Sequence, residues 1–444
     1  MGRLFGTDGV RGIAGEDLDA SLALKIGKAA AYVLGKDKEI TVLVGRDTRI
    51  SGQMLASALS AGLMSFGAKV IDLGVVPTPA VSYLVQKYGA TMGAMISASH
   101  NPSEYNGIKL FDGNGFKLPD KTEEEIEKYI LDEEVPLSNK IGTLEISKKA
   151  IDDYTDYLVS TVGSINKDLK IVIDCACGSA SATAPLLFKK LGLKPTIIHK
   201  NYDGNNINDK CGSTHLESLI KKVKSSKADI GIAYDGDADR CLLIDHEGNE
   251  VDGDFVLAIE GLYLKKHNEL DGNAIVGTVM SNLGLRKFCE ANDIKFIATK
   301  VGDRYVLENM LENGYVIGGE QSGHIIFKKH ANTGDGELTS IQILDLLTKE
   351  SKSIKEASKI MNKYPQVLAN AHTTKEGKEK YASDKEIQDL IKEAEDRLAG
   401  DGRILIRPSG TENLIRVMIE GNNIIEITKD AENIARLIEE KYSN

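Results

Sequence analysis

The chain has 444 residues, too many for a single hydrophobic core, so we expect three or four domains of the usual size. Its hydrophobic fraction of 41% and charged fraction of 27% are ordinary for a globular protein, and its net charge of −11 argues against a nucleic-acid or membrane-surface partner. No apolar run approaches the ~18 residues of a membrane span, and the N-terminus carries no apolar signal segment, so we expect a cytoplasmic location.

The cysteines, at positions 175, 177, 211, 241 and 289, are odd in number. None of them forms a C-x-x-C pair. This pattern predicts neither a disulfide framework nor a zinc site, and it fits a reducing compartment.

Strands and helices alternate through the first third of the chain. A glycine-rich opening at residues 5–12 is interpreted as a loop, and it is followed by a helix (18–35), a strand (40–44), a helix (53–65), a strand (70–75), a helix opened by Pro77 and Pro79, and a strand (91–96). This alternation predicts a parallel sheet. A charged stretch (120–128) and a helix near 148–162 are interpreted as the connector to the next unit.

The same pattern restarts twice, and the end of the chain differs. Predicted strands at 169–174, 194–199, 229–234, 273–280, 294–300 and 315–318 alternate with helices that end near 191 or span 255–264 and 282–292. A polar helix (353–362) precedes three strands (366–373, 403–407, 413–420) and two helices (385–398, 431–442). We predict an α/β protein with three similar mixed α/β domains (1–150, 151–252, 253–365) and a C-terminal α+β domain (366–444), packed around a central cleft.

The stretch SASHNP at residues 97–102 follows a predicted buried strand. Pro102 ends regular structure there, so Ser99 is expected to be exposed on a tight turn at the carboxyl end of the strand, where α/β sheets bind ligands. A serine hydroxyl at such a turn can attack or carry a phosphoryl group, with His100, Asn101 and Lys109 nearby. An ordinary polar turn accounts for the same stretch.

The stretch YDGDADR at residues 234–240 places Asp235, Asp237 and Asp239 directly after an apolar strand, with Arg240 before the next one. Three carboxylates this close repel one another unless a cation lies among them, and oxygen ligands suit Mg²⁺ or Mn²⁺. The spacing does not fit an EF-hand, which needs glycine where Arg240 stands. The alternative is a solvated acidic turn.

The glycine-rich stretch GGEQSGH at residues 318–324 also follows a strand. It offers a carboxylate, an amide, a hydroxyl and an imidazole around flexible glycines, a mixture that can hydrogen-bond a polyhydroxylated ring. Polar glycine-rich surface loops of the same composition are common.

The stretch RPSGTE at residues 407–412 ends a strand near the C-terminus. Arginine, hydroxyls and the N–H groups of a glycine turn are the parts of a phosphate cradle, although a β-turn between hairpin strands has the same composition. The chain has no G-x-x-x-x-G-K-[ST] motif, which argues against a P-loop nucleotide enzyme.

Taken in order, these four loops resemble the α-D-phosphohexomutase family over the length of the chain. They are similar to its phosphoserine loop (97–102), metal loop (235–240), sugar loop (320–324) and phosphate loop (407–411). Further stretches at 5–12, 278–284 and 300–305 resemble the family's bacterial members that act on glucosamine phosphates, and Gln321 fits these members better than relatives that carry Met there. Cys177 departs from the family, whose members often carry Asn at this position.

The resemblance implies a role for each matching residue. Ser99 would carry the phosphoryl group, and Asp235, Asp237 and Asp239 would hold one Mg²⁺ together with an oxygen of Ser99. The implied acid/base and charge-stabilising groups are Lys109, His324, Arg11 and Arg240; the implied substrate-binding residues are Glu320, Gln321, Ser322, Gly323, Arg407, Ser409, Gly410 and Thr411.

The resemblance also implies a reaction: interconversion of glucosamine 6-phosphate and glucosamine 1-phosphate through phosphorylated Ser99 and a bisphosphate intermediate, for UDP-N-acetylglucosamine and cell-wall precursor synthesis. The implied partner is a sugar phosphate, with no nucleic acid or membrane, in a monomer or homodimer. The alternatives are a phosphomannomutase/phosphoglucomutase of broader specificity, a phosphatase and a non-catalytic sugar-phosphate sensor.

Overall fold

The computed structural model describes residues 4–6, 8–35, 39–409 and 413–443. By its internal contacts the chain divides into two compact units, one formed by Met1–Met280 with Ile294–Lys359 and the other by Ser281–Asp293 with Ile360–Asn444. The first unit holds three mixed sheets and the second holds one antiparallel sheet, which confirms the α/β fold class.

The first sheet has six strands in the order β1-β5-β4-β2-β3-β6. Its elements are β1 (Val10–Ile13), α1 (Ala20–Gly35), β2 (Thr41–Arg46), α2 (Gly52–Met64), β3 (Lys69–Val75), α3 (Thr78–Tyr88), β4 (Met92–Ile96), β5 (Tyr105–Asp112), α4 (Asp120–Leu131), β6 (Thr143–Ile146) and α5 (Ala150–Ser160). The parallel arrangement predicted for this sheet is correct for β2, β3, β4 and β6 and wrong for β1 and β5, which run antiparallel to their neighbours.

Two stretches of this region differ from their predicted structure. The opening interpreted as a loop contains β1, since Val10 pairs with Ile108 of β5. The charged stretch interpreted as a connector is helix α4, which buries Ile126 and Ile130 against the core. Glycine and charge dominate the two sequences locally, whereas pairing and packing with distant segments decide the structure.

The second and third sheets repeat the same plan. The second, in the order β11-β10-β9-β7-β8, has the elements β7 (Ile171–Asp174), α6 (Ala180–Lys190), β8 (Thr196–Ile198), α7 (Glu217–Ser226), β9 (Ile230–Tyr234), β10 (Cys241–Asp245) and β11 (Glu250–Val251). The third, in the order β13-β12-β14-β15, includes α8 (Gly253–Lys266), β12 (Ala274–Thr278), α9 (Leu283–Ala291), β13 (Lys295–Thr299), α10 (Asp303–Asn313), β14 (Ile317–Gly319), β15 (Ile325–Phe327), α11 (Gly336–Glu350) and α12 (Ile354–Ser358), with α9 assigned to the second compact unit.

Each of the three mixed sheets has a hairpin at which its parallel strands give way to antiparallel pairing. The parallel strands β4, β9 and β14 are each followed by an antiparallel partner, β5, β10 and β15 respectively. The three loops that join these pairs are residues 97–104, 235–240 and 320–324, so the same position in the repeated plan carries the serine loop, the acidic loop and the glycine-rich loop.

The second unit contains a smaller sheet in the order β16-β18-β17. Its elements are β16 (Gln366–His372), α13 (Lys375–Lys380), α14 (Lys385–Leu398), β17 (Gly402–Pro408), β18 (Leu414–Gly421) and α15 (Ile424–Tyr442). The helices pack on one face of the sheet through a core that includes Ile387, Val417 and Ile434.

The buried Glu260 of α8 should make the unfolding free energy depend on pH. Its side chain is buried, its Oε1 has no hydrogen-bond partner among the described residues, and burial together with the nearby Asp345 raises the pKa of Glu260 to about 8. Because this folded-state pKa lies above the ordinary value of 4.5, the stabilising contribution of the bound proton is complete below pH 4.5 and is lost as the pH rises through 8. Between pH 5 and pH 8, the unfolding free energy of Glu260→Gln should therefore rise relative to that of the wild type, by up to about 1.4 kcal/mol per pH unit.

The measurement is the denaturation midpoint of both proteins across this range. The wild-type midpoint should fall relative to that of the variant as the pH rises. Parallel curves would show that the Glu260 carboxyl titrates in the folded chain as it does in water.

Candidate active site

The Ser99 loop is held in a strained conformation by a buried network. Ser99 adopts a left-handed backbone (φ 52°), which costs a non-glycine residue roughly 1–2 kcal/mol. Its N–H donates to Ser97 Oγ (2.9 Å), and its carbonyl accepts from Arg49 Nη2 (3.0 Å) and from Asn208 Nδ2 (2.9 Å). Beneath the loop, Arg49 pairs with Asp47 (2.9 Å), and both side chains are fully buried.

This network directs the Ser99 hydroxyl at the acidic loop. Ser99 Oγ donates to Asp235 Oδ2 at 2.6 Å. The prediction that Ser99 is exposed is wrong, because the acidic loop covers it and leaves the residue only 2% exposed. Gly236 allows this close approach, since a Cβ there would lie 2.5 Å from the Ser99 carbonyl oxygen.

The acidic loop gathers three buried carboxylates between β9 and β10. One carboxylate oxygen from each of Asp235, Asp237 and Asp239 lies within 4.8 Å of the other two. Burial, followed by the charges of Asp239 and Asp237, raises the pKa of Asp235 well above its usual range. Burial also opposes ionisation of Asp237, but Lys109 holds the pKa of that carboxyl below its usual range.

The donor atoms of this loop fit a hard divalent cation. Oδ1 of Asp237 and Oδ1 of Asp239 are buried and have no hydrogen-bond partner within the described part of the chain. Unpartnered buried carboxylate oxygens are costly unless a cation satisfies them, and oxygen donors are those that Mg²⁺ prefers. The acidic loop is therefore suited to bind a metal ion.

Cationic side chains surround the carboxylates. Lys109 on β5 is 1% exposed, and its Nζ lies 2.9 Å from Asp237 Oδ2 and 3.1 Å from Asp8 Oδ2. Burial favours the neutral amine, but Asp237 and Asp8 outweigh it and raise the pKa of Lys109, so this side chain is protonated in the free protein. Arg11 pairs with Asp8, and Arg240 Nε lies 3.8 Å from Asp239 Oδ1.

The glycine-rich loop joins the acidic loop through backbone contacts. The Cys241 N–H at the start of β10 donates to the Gly323 carbonyl (3.0 Å), and a Cβ on Gly323 would lie 2.4 Å from the Cys241 carbonyl oxygen. Glu320, Gln321 and Ser322 in this loop are half-buried and so remain accessible. Glu320 Oε1 accepts from the Gly302 N–H (3.2 Å).

His324 lies at the inner end of that loop. Its Nδ1 is 3.5 Å from Asp239 Oδ2, and its Nε2 is 3.7 Å from Asp303 Oδ2 and accepts the Gly334 N–H at 2.9 Å. Burial favours the neutral ring, but the charges of Asp239 and Asp303 raise the pKa of His324 to about 9. The hydrogen bond from Gly334 requires an unprotonated Nε2, whereas the neighbouring carboxylates favour the doubly protonated ring. Taking up a second proton would therefore break the Gly334 bond.

Sequence reasoning missed the residues that support this site. Lys117 Nζ bridges Asp8 Oδ1 and Asp303 Oδ2, each at 2.7 Å, and so joins the N-terminal segment to the start of α10. Asp8 and Asp303 fall inside the stretches 5–12 and 300–305 that carry the family resemblance, which was the available signal. Asp47, Arg49 and Asn208 gave no comparable signal.

The second unit carries the other predicted binding loop. Arg407 on β17 is directly opposite Arg416 on β18, and burial and this like charge lower the pKa of Arg407. Like charges that face each other across a sheet are unfavourable on their own, and an anion between them would relieve the repulsion. Ser409 is buried, its carbonyl accepts from Lys378 Nζ (2.8 Å), and the predicted ligands Gly410 and Thr411 lie outside the described residues.

The sequence matches four family domains in order. These are the phosphoglucomutase/phosphomannomutase alpha/beta/alpha domains I (residues 2–136), II (152–248) and III (252–364) and the C-terminal domain (368–437). In the structure, domains I to III correspond to the three mixed sheets, and the Ser99 hydroxyl of the first contacts the acidic loop of the second. The chain belongs to the phosphoglucomutase/phosphomannomutase family.

Individual relatives and structures agree with this assignment. The chain is 52% identical to a phosphoglucosamine mutase of Acetivibrio thermocellus over 99% of this chain and 100% of the relative, and 50% identical to that of Clostridioides difficile over 100% of both. A phosphoglucomutase/phosphomannomutase family protein of Burkholderia thailandensis superposes with a TM-score of 0.84 at 25% identity, covering 100% and 99% of the two chains. An N-acetylphosphoglucosamine mutase of Aspergillus fumigatus shares the fold (TM-score 0.70, 17% identity, 99% and 96% covered). Within the described residues, no helix is long and apolar enough to cross a membrane.

Proposed function

We propose that this protein interconverts glucosamine 6-phosphate and glucosamine 1-phosphate, supplying precursors for UDP-N-acetylglucosamine and the cell wall. The observation that carries the proposal is the Ser99 hydroxyl bonded to Asp235 at the head of three buried carboxylates. The full-length likeness to relatives named phosphoglucosamine mutase supports the choice of amino sugar.

The proposed reaction has two phosphoryl transfers. Starting from phosphorylated Ser99, a substrate hydroxyl attacks phosphorus, the bond from Ser99 Oγ to phosphorus breaks, and the sugar becomes a bisphosphate. The bisphosphate then reorients so that its other phosphate faces Ser99. Ser99 Oγ attacks that phosphate, and the isomeric monophosphate leaves. No phosphate is lost to water, so the enzyme returns to its starting form.

The residues of the site have matching roles in this proposal. A Mg²⁺ ion bound by Asp235, Asp237, Asp239 and an oxygen on Ser99 would neutralise charge on the transferred group. Lys109 and His324 hold protons near Ser99 and serve as acid and base, while Arg11 and Arg240 stabilise the charge that builds up on the phosphoryl oxygens. Glu320, Gln321, Ser322 and Gly323 bind the sugar; Arg407, Ser409, Gly410 and Thr411 bind the phosphate that does not react.

The test is kcat/KM with Mg²⁺ for glucosamine 6-phosphate beside glucose and mannose 6-phosphates. We expect a preference of about a hundredfold or more for the amino sugar, which corresponds to roughly 2.7 kcal/mol of transition-state discrimination. Comparable values would instead establish a phosphohexomutase of broader specificity.

Gln321→Met tests the residue proposed to select the amino sugar. In the free protein the Gln321 amide nitrogen lies 3.3 Å from Asp252 Oδ2, a long bond that a ligand can replace. Methionine has no N–H to donate and its sulfur is only a weak acceptor, so the preference for glucosamine phosphate should fall by about tenfold. Gln342→Met is the matched control, because the Gln342 amide bonds to Thr161 and takes no part in the glycine-rich loop. An unchanged preference in Gln321→Met would remove this residue from the specificity argument.

A further inference from the structure

A second cluster of potential metal ligands lies outside the acidic loop. Asp174 ends β7, His199 follows β8, and Cys211 lies on the segment between β8 and α7. Because β7 and β8 are parallel and Asp174 pairs with Ile198, Asp174 and His199 lie together at the carboxyl ends of these two strands. One ligand atom from each of Asp174, His199 and Cys211 lies within 4.8 Å of the other two.

The cluster combines burial with access. Asp174 and Cys211 are almost fully buried, while the His199 side chain is 32% exposed and leaves a route from solvent. His199 Nδ1 lies 2.9 Å from Asp174 Oδ2, so these two donor groups already face each other within the cluster.

Cys177 supplies a second sulfur. Interaction with the Cys211 side chain, together with the charge of His199, lowers the pKa of the Cys177 thiol. Its backbone N–H also donates to the His199 carbonyl (2.7 Å), which fixes the Cys177 loop against the His199 segment. Asp174, His199 and Cys211 therefore form the cluster, and Cys177 lies beside it, next to Cys211.

We propose that Asp174, His199 and Cys211, with Cys177 as a fourth donor, bind a thiophilic divalent transition-metal ion of the Zn²⁺ type. Sulfur and imidazole donors select such ions over Mg²⁺, whereas the all-oxygen acidic loop has the opposite preference. Binding would release the protons of the thiols and the proton between His199 and Asp174. The chain would then carry two metal sites of different chemistry.

The position of the cluster indicates a structural role. The segment that bears Cys211 also bears Asn208, whose amide donates to the carbonyls of Ser99 (2.9 Å) and Asn101 (3.1 Å). The Asn208 N–H in turn donates to the Ala176 carbonyl (2.9 Å), next to Cys177. An ion at the cluster would tie the Cys177 loop and the Asn208 segment together directly beneath the Ser99 loop.

This proposal revises the expectation, drawn from cysteine spacing, that the chain has no zinc site. That expectation depended on the absence of a C-x-x-C pair, a pattern that detects ligands supplied by one local loop. Here the donors come from three separate segments, and only the fold brings them together.

The experiment uses the full-length protein, stripped of metal by a chelator and returned to saturating Mg²⁺ so that the acidic loop is occupied. Titration with Co²⁺ should show about one ion per chain, with a thiolate-to-cobalt charge-transfer band and the intense visible bands of four-coordinate Co²⁺. Addition of Zn²⁺ should displace the Co²⁺ and remove these bands. A wild-type protein without a thiolate band would overturn the proposal.

Single substitutions identify the residues that produce the Co²⁺ bands. Cys211→Ser and His199→Ala should lower Co²⁺ affinity by at least tenfold, and Cys177→Asn should weaken the charge-transfer band while leaving the fold intact. Cys289→Ser, which changes another buried cysteine, and Asp235→Asn in the acidic loop should both keep the full spectrum. If Cys211→Ser fails to fold, Cys177→Asn and His199→Ala decide the question; unchanged spectra in both would refute the assignment.

Discussion

Ser99→Ala is expected to lower kcat by at least about 10³-fold while the protein remains folded, because the variant has no oxygen to carry the phosphoryl group. The substitution removes one hydroxyl and its 2.6 Å bond to Asp235. The carbonyl and N–H bonds that hold the loop belong to the backbone and to Ser97, Arg49 and Asn208, so they remain in the variant. The measurement is kcat with glucosamine 6-phosphate and Mg²⁺, with circular dichroism as the check on folding.

Ser82→Ala is the matched control for this loss. Ser82 is also a buried serine, 3% exposed against 2% for Ser99, and its hydroxyl donates to the Gly115 carbonyl at 2.6 Å. The control removes a comparable buried hydrogen bond and should keep turnover near the wild-type level. Wild-type turnover in Ser99→Ala would exclude a phosphoserine route altogether.

Asp235→Asn should lower kcat and raise the stability of the metal-free chain. Burial and the charges of Asp239 and Asp237 disfavour the ionised form of Asp235 and raise its pKa, so an uncharged asparagine at this position should stabilise the metal-free chain by roughly 1–3 kcal/mol. The same change removes a proposed ligand of the metal ion, so kcat should fall by at least about 10²-fold.

Denaturation midpoints with and without Mg²⁺ test both halves of this prediction. Mg²⁺ should raise the wild-type midpoint, since it binds the folded chain, and should have little effect on Asp235→Asn. Asp245→Asn is the contrasting control: Asp245 Oδ2 accepts from Asn249 Nδ2 (2.9 Å), a bond that the NH₂ of asparagine cannot accept, so that variant should lose stability and keep turnover. A metal-free Asp235→Asn protein less stable than the wild type would show that the three carboxylates do not strain the fold.

The parts of the site that could be predicted from the sequence are encoded locally. The acidic loop follows one apolar run and precedes another, so the hairpin of β9 and β10 and its three carboxylates are encoded within residues 230–245. The Ser99 loop was found for the same reason, from the strand before it and Pro102 after it.

The parts that escaped prediction depend on long-range contacts. Ser99 was expected to be exposed because nothing local indicates that Asp235, 136 residues away, covers it. Lys117 is separated by 109 residues from Asp8 and by 186 from Asp303, so no pattern along the chain pairs these charges. β1 was missed because its strand character comes from its pairing with β5 and not from its glycine-rich sequence.

In the proposed mechanism, the burial of Ser99 would determine how long its phosphoryl group survives. With 2% of the residue exposed, bulk water has little access to a phosphate ester there, and an enzyme that excludes water suppresses hydrolysis of its reactive intermediate. The phosphorylated enzyme of that mechanism would then outlast a catalytic cycle while it waits for substrate. One initial phosphorylation would therefore support many turnovers, whereas a site open to water would lose the phosphate.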